Sequence, residues 1–326
     1  MKKIAAAVLI VVLSVSGVVP AFANGLNQPV PILMYHNIVD EGGEEDALNV
    51  PVDRFEDHIR TLKYMGYNSI TFEQLHEYFS GGEGLPENPV LITFDDGYLS
   101  NYSHAFGILS EYGYCATVFM ITDYIGSYGY LDGEMLVEMQ HSGVFDIQNH
   151  SASHLYNLSD MDSARMRAQV AGAREVLEEL LDKPVRFFCY PFGRHSSALR
   201  GVLKAEGIDM AVTTAHGAAK IGDDPLQLDR IRVFGFDTGK SLVNRIGNTT
   251  GRHAKPVPQD IKPNDEDMVP FQGTTDYCGT SRICLYVAEN FVMDVVSIMP
   301  LTGDERILGL IYALYRPFWK KDLSLQ

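Results

Sequence analysis

Short runs of nearly unbroken apolar residues alternate with segments in which apolar residues return every three or four positions, across about two hundred residues of this chain. The short runs are PILMY (Pro31 to Tyr35), VLITF (Val90 to Phe94), ATVFM (Ala116 to Met120), VFDIQ (Val144 to Gln148), VRFFCY (Val185 to Tyr190) and MAVTT (Met210 to Thr214). Each predicts a β-strand, and the near absence of polar residues in several of them predicts burial on both faces, as in a parallel sheet or barrel. Between them the helical period predominates. In VDRFEDHIRTLKYMG, residues Val52, Phe55, Ile59 and Leu62 form one apolar face. A longer segment, SDMDSARMRAQVAGAREVLEELL, predicts a helix with Ser159 and Asp160 as its candidate caps. Strands and helices in alternation predict an α/β architecture.

The pattern fades after about Phe236. GRHAKPVPQDIKPNDEDMVP combines four prolines with many charges and no period, and residues 241–268 read as a linker to a C-terminal extension, 269–326. The extension holds an apolar stretch, VAENFVMDVVSIM, and ends in ILGLIYALYRPFWKK. That last segment is too short to span a bilayer; it is either a helix docking on the main domain or an interfacial anchor with Trp319, Lys320 and Lys321 at its edge. At the other end, MKKIAAAVLIVVLSVSGVVPAFAN carries Lys2 and Lys3, an apolar run and Ala21-Phe22-Ala23 as a small-x-small cleavage site, which reads as a secretory signal peptide over 1–23. The alternative is an uncleaved membrane anchor. Both place the rest of the chain, with its main domain at 24–240, outside the cytoplasm as an exported, secreted, periplasmic or envelope protein.

Composition narrows the partners. With 326 residues, 46% of them hydrophobic, the chain can build one large domain or a domain plus an accessory piece. Removing Lys2 and Lys3 leaves 24 basic residues against 42 acidic ones, a net charge of -18. Such a balance argues against nucleic acid as a partner, because phosphate contacts need a basic surface. It also disfavours an anionic membrane surface, so membrane association is expected only through an uncleaved signal or the C-terminal segment; a neutral or cationic substrate fits better. The four cysteines form no CxxC pair and no zinc-ribbon spacing. Cys115 and Cys189 lie in apolar runs and are expected as buried free thiols. Cys278 and Cys284 enclose a short loop that an oxidising compartment would allow to be bridged.

Four sites close apolar strands with residues that can do chemistry. In VLITFDDGY, Asp95 and Asp96 follow directly on the strand, and Gly97 allows the backbone to turn so that adjacent carboxylates can enter one cavity. In QNHSASH, His150 and His154 stand four apart, a spacing that places both imidazoles on one side of a helical turn, with Ser151 available to orient a neighbour. Two imidazoles and a carboxylate make a three-ligand site for a borderline divalent metal. In CYPFG, Pro191 and Gly193 imply a fixed turn that could aim a backbone N–H into the same cleft. In PILMYH, His36 follows the first strand. Taken singly, each has an ordinary reading as a polar turn or a partly buried histidine. His58, His76, His104 and His141 fall on helix-like segments and receive no role.

Together, TFDDG, HSASH and CYPFG resemble, in order and spacing, the metal-binding and catalytic motifs of the polysaccharide deacetylases, the NodB-homology group of carbohydrate esterase family 4. PILMYH and LDRIRV (Leu228 to Val233) resemble the circularly permuted branch that includes poly-N-acetylglucosamine deacetylases. The resemblance covers roughly Pro29 to Phe236. It implies a distorted (β/α)7-type barrel, one divalent metal ion (zinc first, with cobalt, nickel or iron as alternatives), and hydrolysis of N-acetyl groups on an N-acetylglucosamine-containing polymer. Carried over by position, it makes Asp95 the general base, Asp96, His150 and His154 the metal ligands, His36 the general acid and Phe192 a backbone oxyanion donor. One departure stands out: Cys189 occupies the place of the arginine that opens the family's RxPYG form of the motif, and Arg186 is three residues too early to replace it. The permuted branch commonly lacks that arginine, and the resemblance leaves open what orients Asp95. Two other readings keep the same residues: an O-acetyl esterase or non-sugar amidohydrolase, and an inactive glycan-binding module.

Overall fold

The structure, a computed structural model, describes residues 28–42, 48–82 and 84–256. The predicted signal peptide, the Cys278–Cys284 loop, the C-terminal extension and most of the predicted linker lie outside the described residues. The strands in chain order are β1 (Ile32–Tyr35), β2 (Asn37–Val39), β3 (Asn49–Pro51), β4 (Asn68–Ser69), β5 (Pro89–Phe94), β6 (Ala116–Met120), β7 (Phe145–Asn149), β8 (Phe187–Cys189), β9 (Met210–His216) and β10 (Leu228–Arg232). The helices are α1 (Val52–Tyr64), α2 (Phe72–Phe79), α3 (Phe106–Tyr112), α4 (Gly133–Ser142), α5 (Ser163–Leu181), α6 (Ser197–Ala205) and α7 (Gly239–Thr250).

Seven strands close into a barrel in the order β1-β10-β9-β8-β7-β6-β5, with β5 returning to β1, and every pairing is parallel. Short β4 runs beside the start of β5, and β2 and β3 form a separate parallel pair. This is the α/β barrel that the resemblance implied, and all six strands predicted from the apolar runs belong to it. The seventh, β10, went unpredicted because its sequence, LDRIR, places two arginines and an aspartate among its apolar residues.

Parallel strands put all their C-terminal ends on one rim, and side-chain alternation decides what faces inward there. Along β5, Ile92 and Phe94 join Leu33, Tyr35, Phe55, Ile59 and Leu62 in the core between barrel and helices. Leu91 belongs instead to a second cluster with Ile32, Phe119, Phe187, Met210 and Leu228, which lines the interior below the rim. Phe72 of α2 joins this second cluster, with its ring 5.6 Å from Phe119 and 5.1 Å from Phe187. Thr93 and Asp95 continue the inward series begun by Leu91, so Asp95 enters the barrel mouth by simple alternation.

Two local expectations need correcting. The N-cap of α5 is Asp162, whose side chain accepts from the Arg165 N–H; Ser159 and Asp160 lie in a separate 3₁₀ turn, Leu158–Asp160, because two residues, Met161 and Asp162, intervene before the helix. The linker predicted from residue 241 begins inside α7, whose Leu242, Val243 and Ile246 are buried in the α1 core. Its Gly239 fits so closely that an added Cβ would stand 2.6 Å from the Asp57 carbonyl of α1. GKSLVNRIGNTT has few apolar residues, but Leu242, Val243 and Ile246 share one face and Thr238 and Ser241 form a capping box at its start, so the helix is legible in the sequence.

Gly97 has φ of +81°, and a Cβ there would stand 2.1 Å from the sulfur of the fully buried Met120. Gly97→Ala is therefore expected to lower stability by about 1–3 kcal/mol, measured as a shift in the denaturant midpoint. An unchanged midpoint would refute the steric account of this turn.

Candidate active site

The backbone turns at the strand ends are strained where chemistry would need them. Six described non-glycine residues have positive φ, and four of these are Asp96, Ser151, His154 and Phe192. Such conformations cost of order 1–3 kcal/mol each and persist only when their surroundings hold them. At Asp96, φ of 74° turns the chain directly after β5. Strand alternation would send Asp96 outward; the turn brings it back beside Asp95. Leu131 N–H donates to the Gly97 carbonyl at 3.0 Å and Leu99 N–H to the Gly129 carbonyl at 2.9 Å, fixing the segment beyond.

His150 and His154 converge, although no helical turn joins them, because Ser151 and His154 both adopt positive φ in an irregular loop after β7. Asn149 Oδ1 accepts from the Ser151 N–H at 2.8 Å, and Ser151 Oγ accepts from the His154 N–H at 3.1 Å, so the loop is folded by its own side chains. The orienting role predicted for the Ser151 hydroxyl is realised on the His154 backbone.

Asp96 Oδ1 lies 3.3 Å from His150 Nε2 and 3.5 Å from His154 Nε2. Two ligands held about 2.0–2.1 Å from one metal at a tetrahedral angle stand roughly 3.3–3.4 Å apart, so this donor set fits a small divalent ion. The ring orientation suits it as well. His150 Nδ1 donates to the Cys189 carbonyl at 2.7 Å, so Nε2 is the nitrogen that faces the donor set and would bind an ion on losing its proton. Burial, followed by the neighbouring His150, pushes the His154 pKa down to about 4, which keeps that imidazole neutral. Burial opposes ionisation of Asp96, but the hydrogen bond and charge of a protonated His150, whose own pKa is held well above the usual imidazole value, outweigh it and lower the carboxyl pKa; an ion bound here would take the place of the His150 Nε2 proton. A second group, Asp95, His150 and Cys189, is equally close-set. It is unsuited to a cation, because a guanidinium already bonds both Asp95 oxygens and the Cys189 sulfur.

That guanidinium belongs to Arg230, an inward residue of β10 that is completely buried. All five of its N–H donors find acceptors: Nε on the Thr213 carbonyl at 2.8 Å, Nη1 on Thr93 Oγ1 at 3.0 Å and Asp95 Oδ1 at 2.8 Å, Nη2 on Asp95 Oδ2 at 2.7 Å and Cys189 Sγ at 3.3 Å. Burial alone would raise the Asp95 pKa; the charge and paired hydrogen bonds of Arg230 outweigh it and hold the carboxyl well below the usual range.

His36, following β1, places Nε2 3.8 Å from Asp95 Oδ2. Its carbonyl accepts from Asn101 Nδ2 at 2.9 Å, and Asn101 is buried in a π-helical turn, Asn101–Ala105, that leads into α3. Burial outweighs the Asp95 and Asp96 charges and lowers the His36 pKa, which makes its protonated form a stronger acid. Phe192 sits in the turn Pro191–Gly193 after β8, with its ring 4.5 Å from that of His154. The turn bonds Gly193 N–H to Tyr190 and Arg194 N–H to Pro191, and leaves the Phe192 N–H outside both bonds. The structure thus brings Asp95, Asp96, His36, His150 and His154 together and puts Phe192 at their edge.

A family model described as polysaccharide deacetylase matches residues 82–211. The putative polysaccharide deacetylase YxkH of Bacillus subtilis is 33% identical over 204 residues, which are 63% of this chain and 71% of YxkH. This chain belongs to the polysaccharide deacetylase family. The deacetylase PplD of Streptococcus pyogenes, solved in complex with acetate, is 27% identical and superposes with a TM-score of 0.63, over 68% of this chain and 98% of PplD. The poly-beta-1,6-N-acetyl-D-glucosamine N-deacetylase of Staphylococcus epidermidis is 25% identical over 62% of this chain and 74% of its own.

Within this polysaccharide deacetylase, Arg230 is the site residue that sequence reasoning missed. The missing arginine of the CYPFG motif left a gap beside Cys189, and the signal that could have filled it was LDRIRV, in which Arg230 occupies an inward position two residues after Leu228. The guanidinium comes from β10 rather than β8 and reaches the same carboxylate across the barrel. Cys115 and Cys189 are both buried, as expected, and Cys189 is a free thiol.

Proposed function

We propose that this chain is an exported, metal-dependent deacetylase that hydrolyses N-acetyl groups on an N-acetylglucosamine-containing polysaccharide and releases acetate. The observation that carries this reading is the joint presence, on one barrel rim, of a three-donor metal set and a separately ion-paired carboxylate beside it. The Staphylococcus epidermidis relative supports the choice of glycan. Two imidazoles and one carboxylate suit zinc, with cobalt, nickel or iron as alternatives. A divalent ion held by Asp96, His150 and His154 supplies Lewis acidity and lowers the pKa of water from 15.7 toward about 7.

The remaining chemistry rests on the chain's own residues. Asp95 is kept ionised by Arg230 and accepts the proton of the attacking water as general base. The Phe192 N–H is the backbone donor to the oxyanion that forms at the acetyl carbon. His36, protonated, donates to the departing amine, which cannot leave as an anion. Its place on the first barrel strand supports the permuted motif order. The catalytic domain is taken as residue 24 to the end of α7, with the signal peptide before it and an extension after it.

Acetate and free amine released from N-acetylglucosamine oligomers, compared with acetate from acetylated xylan, test the reading. Release from the amino sugar should fall to background on chelation and return with added zinc. Equal turnover of chelated and reloaded protein, or release from xylan alone, would overturn it.

A further inference from the structure

Five aromatic side chains are strongly exposed among the described residues. Tyr128, Tyr156, Phe192 and Phe236 stand on segments leaving the C-terminal ends of barrel strands, and only Tyr64 ends a helix. Exposed aromatics concentrated on the catalytic face present apolar area where a substrate arrives; Tyr128, Tyr156 and Phe236 lie outside the machinery described above, and Phe236 is held more firmly than a surface ring needs.

Phe236 is 60% exposed and stacks on Phe234, with ring centres 5.0 Å apart and planes 7° from parallel. The Arg245 guanidinium lies 5.3 Å from the centre of the Phe234 ring. The loop carrying the pair is locked by the buried Asp237. Its carboxylate accepts from the Phe234 N–H at 2.9 Å and the Ser241 hydroxyl at 3.1 Å, and is ion-paired with Arg245. Its backbone N–H donates to the Phe234 carbonyl at 3.0 Å, and its carbonyl accepts from His58 Nε2 at 2.7 Å. Arg245 also donates to the Arg232 carbonyl at 2.7 Å, anchoring the loop to β10. A rigid ring with one face supported and the other open loses little conformational freedom on binding.

The pair also stands on the rim that carries the reacting centre. Val233 N–H donates to the Met34 carbonyl at 3.2 Å, on the strand that leads into His36. Phe236 is three residues further on, and three residues reach at most about 11 Å. We infer that the Phe234–Phe236 pair is a stacking subsite for a pyranose ring adjoining the sugar that carries the reacting acetamido group. The apolar C–H face of the sugar covers the open face of Phe236. This rests on the glycan reading above and extends it: the enzyme recognises a chain of sugars.

The test compares wild type with Phe236→Ala and Phe236→Tyr on an N-acetylglucosamine hexasaccharide and on p-nitrophenyl acetate, which is too small to span both sites. Phe236→Ala should raise KM for the hexasaccharide about ten-fold, leave kcat/KM for the small ester unchanged and leave thermal unfolding unchanged. Phe236→Tyr should restore the wild-type KM. If wild type deacetylates the hexasaccharide and Phe236→Ala does so with the same KM, the subsite is overturned while the deacetylase reading stands. If wild type cleaves the small ester but no N-acetylglucosamine oligomer, the glycan reading fails and the subsite with it.

Discussion

Arg230→Met is expected to lower stability by about 3–5 kcal/mol, because it leaves the Asp95 carboxylate buried without the two guanidinium donors that pair it. For a domain of this size that corresponds to a melting temperature lower by roughly 6–20 °C. The pH dependence identifies the cause. With Arg230 present, the folded-state pKa of Asp95 lies below its unfolded value of about 3.9, so its contribution to stability is complete above that value and is lost as pH falls. Without Arg230, burial raises the folded-state pKa above the unfolded value and the sign reverses: the variant binds a proton on folding, and its deficit shrinks on acidification. Denaturant titrations of both proteins at pH 7 and pH 4 measure this, and a deficit equal at both would show that lost packing, not the unpaired charge, is responsible. Acetate release should fall about 100-fold, the scale of a misplaced catalytic group. Arg230→Lys is expected to recover part of the stability but not the turnover, since an ammonium cannot bond both carboxylate oxygens in one plane.

Asp95→Asn and His154→Ala should separate the two functions that share this rim. Asp95→Asn removes the proposed base without touching the donor set of Asp96, His150 and His154, so turnover should fall by about 10²–10⁴-fold with bound metal unchanged. His154→Ala removes one of three ligands, so both metal content and turnover should fall. Metal analysis after dialysis, run beside acetate release, distinguishes them. Near wild-type turnover in Asp95→Asn would displace Asp95 from the role of base; full metal content in His154→Ala would displace His154 from the ligand set.

Which of these residues could be read from the chain follows from how each is positioned. Asp95, Asp96, His36 and the turn at Pro191–Gly193 all come directly after apolar runs. Where parallel strands close a barrel, the C-terminal end of every strand lies on one rim, so a local pattern is enough to gather these residues. The pair His150 and His154 was legible by spacing, but for a reason the structure replaces: two positive-φ residues in an irregular loop do what a helical turn was expected to do.

Local sequence therefore determined the strands rich in apolar residues, the amphipathic α1 and the polar residues that close each strand, because periodicity and turn chemistry act over a few residues. Tertiary structure alone decided β10 and the partner of Asp95. A buried arginine is tolerated only when distant parts of the chain supply its acceptors, here Thr93, Asp95, Cys189 and Thr213 from three other strands and the turn after β5. No window of sequence around Arg230 contains them, and without them LDRIR looks like surface rather than the centre of the site.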